Sequence, residues 1–256
     1  MENSDFSDFV NEYCNFYCLS YKHPKREAAM KDRFSKIGIP LIVYGGVEHD
    51  DKRLQNMKLS EGVRRLWSIT YGHLDMIQMF LDSGKEYGLF MENDILIRKD
   101  LTEKLPRVME QLNQGEIEFC LLGYMITHAV NPFSSIYHTK YTKNGKMVYD
   151  RTFEHRLHMY PHDQWGVHLY MMNRSGAQKI LDTYAGGYAD EHIDNPEKPF
   201  SPDWTISKCP DVNRALLYPM LAVEDGSDSY DHYAHDGQYN FHMETFRFNY
   251  IKDIFI

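Results

Sequence analysis

The 256-residue chain has little cysteine, a minority of positive charge and no long apolar run, and each shortage narrows what it can be. Its four cysteines, Cys14, Cys18, Cys120 and Cys209, make no Cys-x-x-Cys pair. That excludes a zinc ribbon and leaves reduced thiols packed in a core as the expectation. Lys and Arg number 28 against 37 Asp and Glu, a formal net charge of −9. With no Lys/Arg-rich block to track a phosphate backbone, nucleic acid is not an expected partner. An acidic protein can still bind nucleotides where a divalent cation stands between its carboxylates and the phosphates. No apolar stretch approaches the ~20 residues of a membrane span, and the opening "MENSDFSDFVNEYC" lacks the basic region of a signal peptide. The expectation is a protein with no transmembrane segment, cytoplasmic rather than secreted.

What is present is enough for one well-filled domain over residues 1–256: 43% hydrophobic and 25% charged residues argue against disorder. "NFYCLSY" (15–21) reads as an aromatic-rich strand. "KHPKREAAMKDRFSKIG" follows as a helix with Pro24 in its first turn and Gly38 as its stop. "IPLIVY" (39–44) is a second strand, with "GGVEHDD" as its exit loop. "RRLWSITYGHLDMIQMFLDSGK" reads as a long helix that puts Leu66, Ile69, His73, Ile77 and Phe80 on one face and ends at Gly84. A strand from residue 87, a helix in "LTEKLPRVMEQLNQG" and a strand at 117–126 extend the order to β-α-β-α-β-α-β. That order is the mark of an α/β fold with a mostly parallel sheet. Residues 127–161 lose any period except for a "KNGK" turn at 143–146, a hairpin or loop excursion. Regular structure resumes with a strand at 165–174, a helix in "SGAQKILDTYAGG" capped by Ser175 and closed by Gly186 or Gly187, a short helix at "DWTISKC" and a late strand in "RALLYPMLAVED". Residues 226–243 show no period. Trp67, Trp165 and Trp204 read as core.

The segment "YGLFMENDILIRKD" (87–100) poses the functional question, because a run of the kind that fills a sheet is broken by Glu92, Asn93 and Asp94. Burying an unpaired carboxylate costs several kcal/mol unless a cation or hydrogen-bond donors compensate. The carboxyl end of a strand in an open parallel sheet is where such folds hold ligands. Hard oxygen donors there suit Mg²⁺ or Mn²⁺, bound through one or two carboxylates plus substrate phosphates. A solvated acidic turn is the plain alternative.

Four blocks in order resemble one family. "SITYGHLDMIQMFLDSGKEYGLFMENDILIRKDL" looks like the signature of glycosyltransferase family 25, the lipopolysaccharide- and collagen-type sugar transferases, in which a helix is followed by a hydrophobic run, Glu-Asp-Asp and a second hydrophobic run. "FYCLSYKHPKREAAMKDRFSKIGI" is similar to the family's opening strand and helix, with "GVEHDDKR" where its next nucleotide-side loop falls. "GVHLYMMNRSGAQKIL" resembles its aliphatic strand and Gly-Ala helix, and "SPDW" stands at its acidic segment before a short helix. The chain departs from the pattern with Asn93 in the middle of the triplet and Tyr71-Gly72 rather than Ser before His73.

The resemblance implies a GT-A-type nucleotide-binding sandwich, with a nucleotide-binding half at about 13–126 and an acceptor and catalytic half at about 127–256. It implies metal-dependent, inverting transfer of a hexose, galactose or glucose, from a UDP-sugar donor to a saccharide or glycoprotein glycan, in a bacterial or viral-type cytosolic setting such as lipopolysaccharide biosynthesis. Asp94 would ligate Mn²⁺ or Mg²⁺, and Glu92 and Asn93 would meet the donor. Inversion needs one general base for the acceptor hydroxyl. Asp203 is the choice, competing with a role as helix cap; Asp163 is its rival, with Asp190, Glu191 and Asp194 behind. A second metal ligand is sought in "DGSDSYDHYAHDGQYNFH", which offers His232, His235 and His242 with Asp228, Asp231 and Asp236. His232 and His235 are preferred, and an imidazole ligand would point to Mn²⁺. Arg26 contacts uracil or phosphate, or is a helix-surface charge. Asp50, Asp51 and Arg53 meet the nucleoside, or form a solvated run. His73 is a donor contact or a packed, hydrogen-bonded ring, and Trp204 could stack on an acceptor sugar. Two other readings remain open: a metal-dependent nucleotidyltransferase or phosphohydrolase, and a non-catalytic glycan- or nucleotide-binding module.

Overall fold

The computed structural model describes residues 3–125, 142–143, 146–147, 155–160, 164–225 and 236–256. Helix α1 (Asn3–Tyr13) runs straight into strand β1 (Cys14–Leu19). Helix α2 (Pro24–Lys36) has Pro24 in its first turn and buries Met30 and Phe34, and Gly38 beyond it takes the left-handed φ of +72°. Strand β2 (Leu41–Tyr44) starts two residues later than the apolar run suggests. The Ile39 N–H is taken by the Phe34 carbonyl at 3.1 Å, and Pro40 has none to give. After a 3-10 turn (Lys52–Leu54) comes α3 (Glu61–Ser83), capped by Ser60 and ended by Gly84 in the left-handed region. His73, Ile77 and Phe80 face the core as expected, but Leu66 is 46% exposed. At that end the helix turns Trp67 and Ser68 inward, with Ser68 Oγ donating to the Val47 carbonyl at 2.7 Å.

Strand β3 (Tyr87–Glu92), the short β4 (Ile95–Ile97), helix α4 (Leu101–Gln114) and strand β5 (Phe119–Met125) follow. Strands β6 (Thr142–Lys143) and β7 (Lys146–Met147) pair antiparallel at the "KNGK" segment, read from the sequence as a hairpin or loop excursion. The remaining elements are β8 (Arg156–Met159), β9 (Trp165–Asn173), α5 (Arg174–Tyr184), α6 (Tyr188–Glu191), α7 (Pro202–Thr205), β10 (Arg214–Tyr218), β11 (Ala222–Glu224) and α8 (Asp236–Asn249). The cap of α5 is Asn173, whose side chain accepts from the Gly176 N–H at 2.9 Å. Ser175, expected in that role, donates instead to Glu118 at 2.6 Å. No helix among the described residues is long and apolar enough to cross a membrane.

Among the described residues, seven strands make one sheet in the order β2-β1-β3-β9-β5-β10-β8. The pairs β1–β2, β1–β3 and β5–β10 are parallel, so five strands point one way. Strand β9, between β3 and β5, and strand β8 at the edge run against them. The sheet is therefore mostly parallel and the fold α/β. Tyr17, Phe90, Tyr170 and Phe119 stack in a row across β1, β3, β9 and β5, with ring centroids 5.1–5.4 Å apart. That face packs against α3 and α5, and the opposite face against α1, α2 and α4. Each stacked pair adds ~0.5–1.5 kcal/mol to the apolar burial. All four cysteines are buried and unbridged. Trp67 lies in the core, whereas Trp165, at the irregular start of β9, is 41% exposed.

Candidate functional site

Two acidic strand ends meet at the rim of the sheet. Glu92 closes β3, and the chain passes through Asn93 and Asp94 into β4. Strand β11 runs antiparallel to β4 with Glu224 opposite Ile95, and the Asp225 N–H donates to the Asp94 carbonyl. Asn93 Nδ2 donates to Ser20 Oγ at 2.9 Å, tying the turn to the end of β1. The pairing of Met91 with Leu169 sets His168 of β9 beside the same end of β3. Helix α8 brings His242 in from the other side: its Nδ1 contacts Glu224 Oε2, which also lies 3.3 Å from His168 Nε2. His73 of α3 is fully buried, its Nδ1 2.7 Å from the Tyr170 hydroxyl and its Nε2 3.8 Å from Glu92 Oε1. The latter distance is too long for a hydrogen bond, so the attraction is electrostatic.

Charge is unevenly compensated across this centre. Burial, then the charges of Glu92 and Glu224, push the Asp94 carboxyl up to about 7, although Arg26 Nη1 holds Asp94 Oδ2 at 3.0 Å. Burial acts in the same direction on Glu92 and Glu224, but neighbouring histidines outweigh it and lower both: His73 chiefly for Glu92, His168 and His242 for Glu224. Asp94 is thus the acid that keeps a proton near neutrality. Arg33 pairs with Asp225 and donates to the Ile95 carbonyl at 2.9 Å. Lys25, Arg26, Ala29, Arg33, Asn93, Asp94 and Asp225 line an open pocket along the start of α2. A divalent cation fits the donor set: the Glu224 carboxylate and the imidazoles of His168 and His242 each have a ligand atom within 4.8 Å of the other two.

Asp203 approaches from a later part of the chain. It is the second residue of α7, whose cap position is Ser201, so its carboxylate does not cap that helix. It crosses to β9 instead, where Oδ1 accepts from the Gly166 N–H at 2.8 Å. Burial and the charge of Glu92 raise its pKa, against the pull of the Gly166 hydrogen bond. Gly166 has φ +87°, and a Cβ there would sit 2.8 Å from the Met125 nitrogen and 2.9 Å from His168 Cε1. Glycine is what lets β9 start so close to both. Half-buried Trp204 and exposed Trp165 flank Lys208, whose Nζ is 5.3 and 4.0 Å from their ring centres.

Other expected residues are placed differently. Arg53 clamps Asp51 and Asp75 and lies 4.8 Å over the Tyr71 ring, a network of its own, while Asp50 is exposed. Asp190 accepts from Asn56 Nδ2 at 2.6 Å, Asp194 pairs with Lys58, and Glu191 is exposed. Asp163, His232 and His235 lie outside the described residues. His242, the histidine of the late segment that is among the described residues, lies at the centre. Reading for acidic triplets missed His168 and Glu224, though each carried a signal. His168 is the polar residue inside the apolar run "GVHLYMM", and Glu224 ends an apolar strand just as Glu92 does.

No protein-family model matches the chain, and no curated protein matches it. Among solved structures, a glycosyltransferase involved in the glycosylation of the major capsid of PBCV-1 aligns over 80% of this chain and 81% of its own, with a TM-score of 0.37 and 7% sequence identity. At that distance no residue role carries across, and the chemistry of the site stands on its own geometry.

Proposed function

We propose that the chain is a GT-A-type glycosyltransferase that moves a hexose, galactose or glucose, from a UDP-sugar to a saccharide or glycan acceptor with inversion. The observation behind the reading is the meeting of Glu92, Asp94, Glu224, His168 and His242 beside a pocket lined by Lys25, Arg26 and Arg33. A nucleoside diphosphate bound with a cation asks for both kinds of neighbour, basic side chains for its oxygens and acidic ones for the metal. Mn²⁺ or Mg²⁺ beside Asp94 would stabilise the negative charge of the departing diphosphate. Arg26 and Arg33, each held against a carboxylate, are within the same pocket to take phosphate oxygens. Asp203 would accept the proton of the attacking hydroxyl. The Gly166 N–H fixes one of its oxygens, and its raised pKa makes it a better base than an ordinary aspartate. Trp204, with Trp165 near it, offers an aromatic face for the acceptor sugar.

The test is a panel of UDP-sugars with Mn²⁺, following UDP, inorganic phosphate and sugar transferred to saccharide acceptors. Release of UDP with transfer supports the reading. Release of phosphate or pyrophosphate instead would assign the site to phosphohydrolase or nucleotidyl-transfer chemistry, and tight donor binding without turnover would make the chain a binding module.

A further inference from the structure

His168, Glu224 and His242 come from three separate elements, β9, β11 and α8, and one ligand atom of each lies within 4.8 Å of the other two. Their exposures are 9%, 7% and 6%, so a carboxylate and two imidazoles have been taken almost wholly out of water. Both rings address the same oxygen, Glu224 Oε2. Two buried imidazoles aimed at one carboxylate oxygen form a stable group if both carry protons, or if one cation takes the place of those protons. The surroundings favour the second arrangement. Glu92, at the end of the strand paired with β9, adds negative charge beside the cluster, while Arg26 and Arg33 are turned to Asp94 and Asp225.

We infer that His168, Glu224 and His242 are the protein ligands of a divalent transition-metal ion. The inference deepens the functional reading above by naming what holds the ion, but its test is binding, so that each can fail alone. Metal–ligand bonds of about 2.0–2.2 Å in a tetrahedral site place the ligand atoms ~3.3 Å apart. The observed spacing reaches that with small side-chain adjustments. Two nitrogens and one carboxylate oxygen suit Zn²⁺ or Mn²⁺ rather than Mg²⁺, which prefers an all-oxygen octahedron. Three protein ligands leave at least one position open, and Asp94 or a phosphate oxygen is the nearest chemistry to fill it. The ion would also pin α8 to the sheet.

The experiment uses the full chain, stripped with chelator and dialysed against Zn²⁺, Mn²⁺ or Mg²⁺, with bound metal measured by elemental analysis. The zinc-loaded protein is examined by X-ray absorption. One equivalent of Zn²⁺ or Mn²⁺ is expected, with Mg²⁺ bound at least about 100-fold more weakly, and the spectrum should show two imidazole ligands. Glu224→Gln and His242→Gln should each lower affinity by about 100-fold or more, a loss at least as large as that from removing a supporting residue, whereas Asp94→Asn, which removes at most the group in the open position, should lower it by less than either. No uptake by the wild-type protein, a spectrum without imidazole, or loss of binding in Asp94→Asn alone would overturn the assignment. The wild-type spectrum decides even if the variants fail to fold. Metal bound as described with no UDP-sugar cleavage would sink the glycosyl-transfer reading only. Cleavage with unchanged metal dependence in Glu224→Gln and His242→Gln would sink this inference only.

Discussion

Replacing Asp94 by asparagine should make the metal-free protein lose less stability than the wild type as the pH rises, although it removes a residue of the proposed site. The Asp94 carboxyl stands at about 7 in the folded chain against 3.8 for an ordinary aspartate, raised first by burial and then by Glu92 and Glu224. A raised acid pKa stabilises the fold while the folded state keeps a proton that the unfolded state has released. That contribution is complete below the unfolded pKa and is lost as pH climbs through about 7. Between pH 5 and 8 the wild type should therefore lose about 3 kcal/mol that the Asp94→Asn variant does not lose, roughly two pKa units at ~1.36 kcal/mol each. The side chain is 14% exposed, so solvent screening takes little from that figure. Asparagine also leaves Arg26 without its carboxylate. Arg26 stays charged over the whole range, so that penalty offsets the curve without tilting it. The measurement is urea unfolding of both proteins in EDTA at pH 5, 6.5 and 8, comparing how the stability difference changes. A difference that stays flat, or moves in favour of the wild type as pH rises, would refute the electrostatic account of the cluster.

Asp203→Asn keeps an oxygen to accept the Gly166 N–H but removes basicity, so kcat should fall by ~10²–10⁴ with donor affinity almost unchanged; unaltered turnover would remove Asp203 from the chemistry. Donor binding should depend on metal: calorimetry should find UDP bound much more tightly with Mn²⁺ than with EDTA, and equal affinity would remove the cation from recognition. Gly166→Ala forces a left-handed φ on a side-chain-bearing residue and drives its Cβ against Met125 and His168. It should cost more than about 1 kcal/mol in unfolding experiments, and a neutral result would mean that the start of β9 adjusts freely.

Long apolar periods were legible in the sequence. Strands β1, β3, β5 and β9, and helices α2, α3 and α4, follow from runs that must be buried on one or both sides. Helix α8 was not legible, because the residues it buries include His242, Thr245 and Asn249, a polar line that carries no hydrophobic period. Strand β8 is four residues long and antiparallel at the sheet edge, too short to stand out from the irregular sequence before it. At the site, Glu92 and Asp94 announced themselves by interrupting an apolar strand, whereas their partners depended on strand order. Nothing local in "GVHLYMM" says that β9 will insert antiparallel beside β3 and bring His168 against Glu92. Likewise, only the β4–β11 pairing shows that Glu224 and Asp94 are neighbours.

The place of β9 also sets when the centre can come into being. Strands β1, β2 and β3 can associate as soon as they are made, since they are adjacent both in sequence and in the sheet. Strand β5 cannot join them directly, because the position between β3 and β5 belongs to a strand made later. A growing chain thus passes through a stage in which two open strand edges wait for Trp165–Asn173, a pairing that links distant residues and is entropically slow to find. The strand that seals those edges carries His168 and is held at its start by Asp203. Glu224 and His242 follow it in the chain. The acidic turn at Asp94 is consequently translated early but acquires its counterpart residues only after the sheet has closed, so the finished site reports that assembly is complete.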